Sequence, residues 1–341
     1  MEYLYCEKMN RQLCFNGSYI YACTVGNNTK SNSNLIIKEN YNGEPIDAEQ
    51  FFVEREQIKL DAKNGKIPEN CEGCHYLQLR DWDNVAADRK IDYILISNYK
   101  RCNSRCIYCI SRTDYNPKKD KNPETYNIIP VIKDMIDKGY VSEDTKFDFA
   151  GGECTLYPYF EELLTLLINS GIKNIIIHSN AIIYSKAIEN GIKTGMVSLC
   201  VSTDSGRKRT HEKIKGVRTY DKVWKNIKKY NKSKSQQTNN SVSVKYIVVE
   251  NVNDNEKEIY DWLRKVKKSG IKTVRFNADN DIFIKYQNDK NYNHPYLAKI
   301  IVLTEFFVKC AQVYDIKYEL DYNVDAAYKM LNIKKPDCFG Y

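Results

Sequence analysis

Three cysteines fall within the short stretch RCNSRCIYC, at positions 102, 106 and 109, with Tyr108 between the last two. Thiolates bind soft metals, and iron–sulfur clusters are held by cysteine. Three thiols on one loop can bind three irons of a four-iron cluster and leave the fourth iron without a protein ligand. Because an open coordination position is typical of a reactive metal centre, the spacing predicts a catalytic cluster.

The spacing of these cysteines is compatible with two other structures, a buried helix and a zinc site. The spacings of four and three would also place them on one face of a buried helix, but Arg101, Arg105 and the polar residues between them make a poor buried helix. A zinc site could join Cys106 and Cys109 to the pair Cys71 and Cys74. However, 31 residues separate the two pairs, against about 15 to 20 in the usual module.

The bulk composition is that of a folded protein of 341 residues, with 42% hydrophobic and 28% charged residues. The first residues, MEYLYCEKMN, do not resemble a signal peptide, and no run of about 18 apolar residues could span a membrane. We therefore expect a cytoplasmic protein without a membrane partner. Cytosolic thiols stay reduced, so the clustering of eight of the twelve cysteines in residues 1–109 favours metal binding over disulfides.

The net charge of +8 is concentrated in residues 207–234, which hold twelve basic residues against Glu212 and Asp221. Such a stretch could contact nucleic acid. A solvated, lysine-rich helix is favoured instead, because no interleaved aromatic and arginine residues accompany the lysines.

From residue 91 onwards, short β-rich runs alternate with amphipathic helical patterns, as in a parallel sheet built from βα units. The runs are IDYILIS at 91, KFDFAG at 146, KNIIIHS at 173, MVSLCVST at 196, SVSVKYIVV at 241 and KTVRFNA at 272. Six such units predict an α/β fold, a partial (β/α)6 TIM-like barrel, with an open doubly wound sheet as the second possibility. The irregular N-terminal sequence predicts a separate segment over residues 1–84, followed by the barrel and a C-terminal extension over residues 85–341.

Four polar segments each follow one of these strands: RCNSRC, GGE, SNA and STDSG. The carboxyl ends of parallel strands are where α/β proteins bind ligands. We therefore expect the four segments to contribute to one site.

These segments together resemble the radical S-adenosylmethionine (SAM) superfamily, whose signature is C-x-x-x-C-x-aromatic-C. Cys102, Cys106 and Cys109 match the cysteines and Tyr108 the aromatic position. AGGECTLYP resembles the family's GGE-P segment, and the SNA and STDSG stretches resemble later family motifs. The resemblance covers about residues 91 to 280.

The resemblance implies that a [4Fe-4S] cluster on the three cysteines binds SAM, and that one electron cleaves SAM to a 5′-deoxyadenosyl radical. The electron would come from a reducing protein such as flavodoxin or ferredoxin. The implied SAM-binding residues are Tyr108, Gly151, Gly152, Glu153, Ser179, Asn180, Ser202, Asp204 and Lys215. Three positions depart from the family pattern: Cys154 replaces a proline, Ala181 a glycine, and Lys215 an arginine, whose two-pronged contact lysine cannot make.

The N-terminal cysteines resemble the auxiliary-cluster modules called SPASM or twitch domains, which usually follow the barrel instead of preceding it. We expect Cys6, Cys23, Cys71 and Cys74 to bind a second [4Fe-4S] cluster, with Cys14 as the alternative to Cys6. The same four thiols could instead form a structural zinc site. Either metal would cross-link a segment with little core.

The expected function is hydrogen abstraction from a substrate, with a peptide or protein favoured because related auxiliary modules occur in enzymes that modify peptides. A sugar, a small metabolite or RNA is the alternative, as is a zinc-stabilised binding protein without catalytic activity. Among the remaining cysteines, Cys200 and Cys310 are expected in the core. Cys154 lies beside the expected SAM site, and Cys338 is a weaker candidate for hydrogen donation to a substrate radical.

Overall fold

The structure is a computed structural model that describes residues 1–24, 35–68, 71–72, 74, 76–83, 89–109, 125–234, 242–280 and 296–336. Its contacts divide the chain into two compact units. The first comprises Met1–Arg101 and Asp120–Ile177, and the second comprises Cys102–Lys119 and His178–Tyr341. Cys338 lies outside the described residues, as does most of the polar stretch 232–241.

The first unit contains most of the short strands. Its elements are β1 (Glu2–Tyr5), α1 (Glu7–Arg11), β2 (Gln12–Asn16), β3 (Tyr19–Tyr21), β4 (Ile36–Lys38), α2 (Glu49–Lys63), β5 (Gln78–Asp81), β6 (Tyr93–Ser97), α3 (Ile129–Asp137), β7 (Lys146–Phe149), a 3₁₀ turn (Cys154–Leu156) and α4 (Phe160–Asn169). The next strand, β8 (Asn174–Ser179), begins in this unit and ends in the second.

Parallel pairing joins β2, β6, β7 and β8 in the first unit, and β3 and β4 extend this sheet by antiparallel pairing. A separate two-stranded ribbon pairs β1 with β5, with Glu2 opposite Asp81. The N-terminal residues are thus more regular than the sequence suggested, since β2 lies directly beside β6. The boundary near residue 84 stays a prediction.

The second unit continues with α5 (Lys186–Thr194), β9 (Val197–Ser202), α6 (Lys208–Lys215), α7 (Tyr220–Lys232), β10 (Val242–Val248), α8 (Glu256–Lys268), β11 (Thr273–Ala278), α9 (Tyr296–Val313), β12 (Lys317–Leu320) and α10 (Tyr322–Met330). Strands β9, β10, β11 and β12 are parallel neighbours in that order. The alternation of strands and helices confirms the α/β fold with a mostly parallel sheet.

Helix α8 shows how the sequence specifies these elements. The Asn255 side chain caps its first turn by accepting from the Glu258 backbone N–H at 3.1 Å. Ile259, Trp262, Leu263 and Val266 recur at helical spacing and are fully buried. The sheet packs against this face, and the ring of Trp262 lies 5.0 Å from the ring of Tyr246 in β10. None of the described helices is long and apolar enough to cross a membrane.

His211 on α6 gives this unit a pH-dependent stability. Its Nδ1 lies 2.7 Å from the Thr203 carbonyl oxygen, and its Nε2 is buried without a hydrogen-bond partner. Burial, reinforced by the Lys215 charge, lowers the pKa of the imidazole. The imidazole binds a proton more tightly in the unfolded chain, where its pKa is about 6.5, than in the folded one. The free energy of unfolding therefore falls as the pH drops below about 6.5.

Asparagine should remove this pH dependence, because its amide can donate to Thr203 without titrating. We expect wild type to lose more unfolding free energy than His211→Asn between pH 7.5 and 5.5, as measured by denaturant titration at both pH values. Equal losses in the two proteins would contradict a neutral, buried His211.

Candidate functional site

The cysteine loop, residues 102–109, is seated on the carboxyl end of α6. The backbone N–H of Arg105 donates to the Lys215 carbonyl at 2.8 Å, and that of Ile107 donates to the Ile214 carbonyl at 3.0 Å. Gly216 ends the helix in the left-handed region with φ of 65°. A Cβ there would lie 2.8 Å from the Arg105 carbonyl oxygen, so glycine permits this close approach.

The three thiols of the loop differ in exposure. Cys102 is exposed, while Cys106 and Cys109 are half-buried. The Cys102 sulfur lies 3.4 Å from the Ser104 backbone N and 3.7 Å from Asn180 Nδ2. Burial raises the pKa of the Cys106 thiol, and the Lys215 charge opposes that rise.

The donor set of the loop fits an iron–sulfur cluster, since it offers three soft thiols within eight residues and no carboxylate or imidazole. Among the described residues, no three Cys, His, Asp or Glu side chains already converge as metal ligands do. The fit therefore rests on the chemistry of the three thiols and not on their side-chain geometry.

A group of three side chains, of which Asp204 and Lys215 are buried and Tyr108 is half-buried, joins the loop to β9 and α6. Asp204 Oδ2 accepts from Tyr108 OH at 2.7 Å and from Lys215 Nζ at 2.5 Å, and Lys215 Nζ also lies 2.9 Å from Tyr108 OH. The side chains of Asp204 and Lys215 are 0% and 3% exposed. We call Tyr108, Asp204 and Lys215 the buried triad.

The buried triad is further fixed by its surroundings. The other carboxylate oxygen of Asp204 accepts from the Ile247 backbone N–H at 3.0 Å, and Asn253 Nδ2 donates to the Asp204 carbonyl at 2.8 Å. Burial opposes the charge on Lys215, but Asp204 and Cys106 outweigh it and raise the pKa of the lysine. Burial, followed by Asp204, raises the pKa of Tyr108 well above its usual value.

Sequence reasoning named the triad residues separately as SAM contacts and missed their mutual bonding. It also missed Asn253, whose only signal was its place after a strand. The expected role of Lys215 towards SAM stays a prediction.

The other expected contacts in the second unit lie at the ends of β8 and β9. Ser179 Oγ accepts from the Ala181 N–H, and Asn180 Oδ1 accepts from the Ile182 N–H, both at 2.9 Å. Asn180 Nδ2 also donates to Asn103 Oδ1 at 2.6 Å, which ties it to the cysteine loop. Ala181 has φ of 54°, a conformation that costs a non-glycine residue about 1–2 kcal/mol and explains why the family has glycine there. Ser202 ends β9.

In the first unit, the glycines after β7 are required by backbone contacts. Gly151 has φ of 106°. The Gly152 N–H donates to the Tyr99 carbonyl and the Glu153 N–H to the Arg101 carbonyl, both at 2.9 Å. A Cβ on Gly152 would lie 2.4 Å from the Arg101 carbonyl oxygen. The GGE segment therefore holds the backbone that directly precedes Cys102 in sequence.

Glu153 and Cys154 are both buried in this segment. Glu153 Oε1 accepts from Thr155 Oγ1 at 2.8 Å, and the Cys154 sulfur lies 3.8 Å from the same oxygen. Burial, followed by the Glu153 charge, raises the pKa of the Cys154 thiol well above its usual value. Such a thiol is a poor nucleophile.

Replacing Gly152 by alanine should destabilise the first unit by about 1–3 kcal/mol, because the methyl group overlaps rigid backbone. Gly171→Ala provides the conformational comparison: Gly171 has a φ of 80° and a Cβ there meets no atom within 4 Å, whereas Gly152 is not among the glycines of positive φ. Denaturant titration of both variants therefore measures a steric cost at Gly152 and a conformational cost at Gly171. A loss well below about 1 kcal/mol in Gly152→Ala would argue against close packing there.

The N-terminal thiol cluster consists of Cys6, Cys23, Cys71 and Cys74. Cys6, Cys23 and Cys71 share a buried group with Tyr5 and Trp82, among others. Burial raises the pKa of Cys71 to about 12, and the charges of the other three thiols add to the rise. The pKa of Cys6 is raised by the same causes, first by burial. The four thiols therefore lie within electrostatic range of one another.

Cys14 lies elsewhere in the first unit. It is in β2, opposite Leu95 of β6, and interacts electrostatically with Tyr93. The four cysteines named first thus interact electrostatically, without converging as metal ligands do within the described part of the chain. The choice between Cys6 and Cys14 stays a prediction. Outside both thiol groups, Cys200 is buried and Cys310 half-buried on α9.

Comparison with known proteins connects this site with a family. The family model described as "Radical SAM superfamily" matches residues 96–290, more than half of the chain. GTP 3′,8-cyclase from Clostridium botulinum is 30% identical over 191 residues, which cover 55% of this chain and 56% of the cyclase. The cyclase from Haemophilus influenzae is 26% identical over 183 residues, 51% of this chain and 52% of that one. The chain thus matches about half the length of these relatives.

Solved structures show a similar fold. SuiB from Streptococcus suis superposes with a TM-score of 0.52 at 15% identity, covering 82% of this chain and 56% of SuiB. SuiB bound to its precursor peptide SuiA gives a TM-score of 0.52 at 16% identity, covering 84% of this chain and 67% of that one.

Proposed function

Because this chain belongs to the radical SAM superfamily, we propose that it abstracts a hydrogen atom from a peptide or protein substrate. It is an enzyme of a family that binds SAM and a [4Fe-4S] cluster. The observation that carries the proposal is the cysteine loop, with its three soft thiols seated on the end of α6. When bound, the cluster and SAM supply a 5′-deoxyadenosyl radical that removes hydrogen from unactivated carbon.

Cys102, Cys106 and Cys109 would hold the cluster, and the buried triad would keep the loop in place. The methionine end of SAM would be oriented by the backbone of Gly151 and Gly152 and by Glu153. The remaining proposed contacts are Tyr108, Ser179, Asn180, Ser202, Asp204 and Lys215. Of these, Asn180 already bonds to the cysteine loop at Asn103.

A peptide substrate is supported by the N-terminal thiol cluster, since related auxiliary modules accompany peptide modification, and by the fold shared with SuiB, which was solved with the peptide SuiA. A small metabolite is the second candidate, because the GTP 3′,8-cyclases are relatives at up to 30% identity.

Hydrogen abstraction can be tested without knowing the substrate. Reconstituted enzyme, dithionite and SAM are combined with an extract of fully deuterated cells that encode this chain, and the 5′-deoxyadenosine is examined by mass spectrometry. A peptide substrate is supported if 5′-deoxyadenosine contains deuterium with the untreated extract and none with the protease-treated extract. Persistence after protease treatment, or activity confined to the low-molecular-weight filtrate, supports a metabolite. A signal lost with ribonuclease would point to RNA.

We also propose that the N-terminal thiol cluster binds a second [4Fe-4S] cluster. Burial and neighbouring thiols raise the pKa values of Cys6 and Cys71, and a bound cation would remove that penalty. Four ligands would leave no iron open, so this centre would relay electrons instead of binding substrate. Zinc on the same thiols is the alternative.

Metal analysis of the Cys102/Cys106/Cys109 triple-alanine variant tests this assignment. About four irons per chain should remain. Adding Cys6→Ala should remove them, whereas adding Cys14→Ala, the matched buried cysteine, should not. Zinc in place of iron, or no metal at all, would refute the second cluster.

A further inference from the structure

Charged side chains occupy one face of the parallel strands β9 to β12. On the opposite face, Tyr246, Phe276 and Tyr318 are buried, and the Phe307 ring of α9 lies 4.4 Å from that of Phe276. Because successive strand residues point to opposite faces, the residues between them share the other face. This polar face is defined by Ser202, Lys245, Arg275, Asn277, Glu319 and Asp321.

The polar face includes one row that runs straight across four strands. Ser202 is opposite Lys245, Lys245 is opposite Arg275, and Arg275 is opposite Glu319. The inside of a (β/α) barrel is usually filled by branched apolar side chains. Charges in these positions do not fill a core, so they indicate a space open to a ligand.

The polar face extends to β8 within the second unit. His178 in β8 interacts electrostatically with Asp321, which directly follows β12, although four steps separate the two strands in the sheet order.

The cations of the polar face differ in their partners. Arg275 Nη2 lies 2.6 Å from Glu319 Oε1, and Arg275 Nε lies 3.2 Å from Asp321 Oδ1 without a hydrogen bond. Lys245 has a half-buried side chain, and its charge acts on Asp321 from beyond ion-pair distance. Among the described residues, Lys245 is therefore the cation of this face that is not committed to a direct contact.

An acceptor on the same face is also unsatisfied. Asn277 Oδ1 is buried and has no hydrogen-bond partner. Asn277 follows Arg275 by two residues on β11 and is opposite Ile247 of β10, two residues beyond Lys245. An unpaired buried oxygen is unfavourable, so a ligand donor is the natural partner for it.

We propose that the polar face is a substrate site that recognises a single anionic group, a carboxylate or a phosphate monoester, through Lys245, beside an N–H or O–H donor that reaches Asn277 Oδ1. This inference rests on the proposed function, because it names the substrate class of that enzyme. An acidic residue or the carboxyl terminus of a peptide carries both features. A nucleoside triphosphate does not match, since its several negative charges would need more than one uncommitted cation.

Anion binding to the reconstituted full chain tests the proposal without turnover. Trifluoroacetate is the carboxylate probe, followed by ¹⁹F line broadening, and inorganic phosphate is the second probe, followed by ³¹P line broadening. Both are measured with saturating SAM and no reductant. We expect broadening by at least one probe in wild type and at least a threefold smaller effect in Lys245→Met. Lys272→Met, which removes an exposed lysine just before β11, should match wild type.

A second variant guards against misfolding of Lys245→Met. Asn277→Asp keeps the size of the side chain but adds negative charge, so it should also weaken anion binding. Equal broadening in wild type and both variants would overturn the proposal. The probes are also measured without SAM. Lys245-dependent broadening that is present without SAM and absent with saturating SAM would overturn the proposal too, because SAM's own carboxylate would then be the ligand.

Guanosine triphosphate provides the test of substrate class. Binding of this probe that depends on Lys245 and is tighter than that of phosphate would refute recognition of a single anionic group. Formation of 5′-deoxyadenosine is measured separately. Cleavage of SAM without anion binding refutes only this inference, whereas an absent cluster and absent cleavage refute the proposed function.

Discussion

Replacing Cys102 by alanine is expected to abolish 5′-deoxyadenosine formation. The cysteine loop offers three thiols and no other soft ligand, so the variant retains only two. Cys102 is also the exposed member of the three, and its side chain makes no core contact whose loss would unfold the protein. The effect should therefore fall on the metal and not on stability. Anaerobic reconstitution, iron analysis and chromatography of the SAM products measure it.

Cys310→Ala provides the matched control, because Cys310 is a half-buried thiol on α9. This variant should retain wild-type iron content and wild-type SAM cleavage. If Cys102→Ala retains wild-type iron content and wild-type 5′-deoxyadenosine formation, the cysteine loop is not the cluster site.

Breaking the buried triad is expected to give the largest loss of stability. Lys215→Met leaves the fully buried Asp204 carboxylate without its cation, and removal of one partner of a buried ion pair costs about 3–5 kcal/mol. Because Lys215 and the preceding residue also accept backbone hydrogen bonds from the cysteine loop, the variant should take up iron more slowly. Denaturant titration measures the first effect and iron uptake the second.

Two further variants separate charge from packing. Lys213→Met removes an exposed lysine of the same helix and should change stability by no more than about 0.5 kcal/mol. Adding Asp204→Asn to Lys215→Met should recover part of the loss, because no uncompensated charge is then buried. If the stability lost in the double variant equals the sum of the losses in Lys215→Met and in Asp204→Asn, the two residues do not act as a pair.

The central strands could be predicted from sequence because each is a run of β-branched and apolar residues bounded by turn formers. β6 to β11 all lie within the predicted runs. β12 was missed although its four residues, KYEL, alternate as those of β7, KFDF, do. β7 is followed directly by AGG, whereas no glycine directly follows β12. The two charges of β12 belong to strand positions that face away from the helices, on the polar face.

The N-terminal strands were missed for a different reason. β1 and β5 contain four residues each, and they pair across most of the segment, with Glu2 opposite Asp81. No local pattern reports such a pairing. The pairing does, however, place Cys6, which directly follows β1, at the end of the ribbon where the chain arrives from Cys71 and Cys74.

The candidate site was predictable at the level of motifs and not of bonding. The cysteine loop, GGE and Asp204 were identified because each follows a predicted strand. That Tyr108 and Lys215 both bond to Asp204 depends on how α6 returns to the sheet, which spacing alone does not specify.

The ribbon of β1 and β5 also bears on the entropy of the unfolded chain. Its last pair, Tyr5 with Gln78, encloses residues 6–77 as one long loop. A cross-link that closes a loop of this length lowers the free energy of folding by about 4 kcal/mol, through the conformations denied to the unfolded chain. Metal held between Cys6 and Cys71 would lie where the two ends of this loop meet. Its removal should therefore destabilise the whole N-terminal segment in one step.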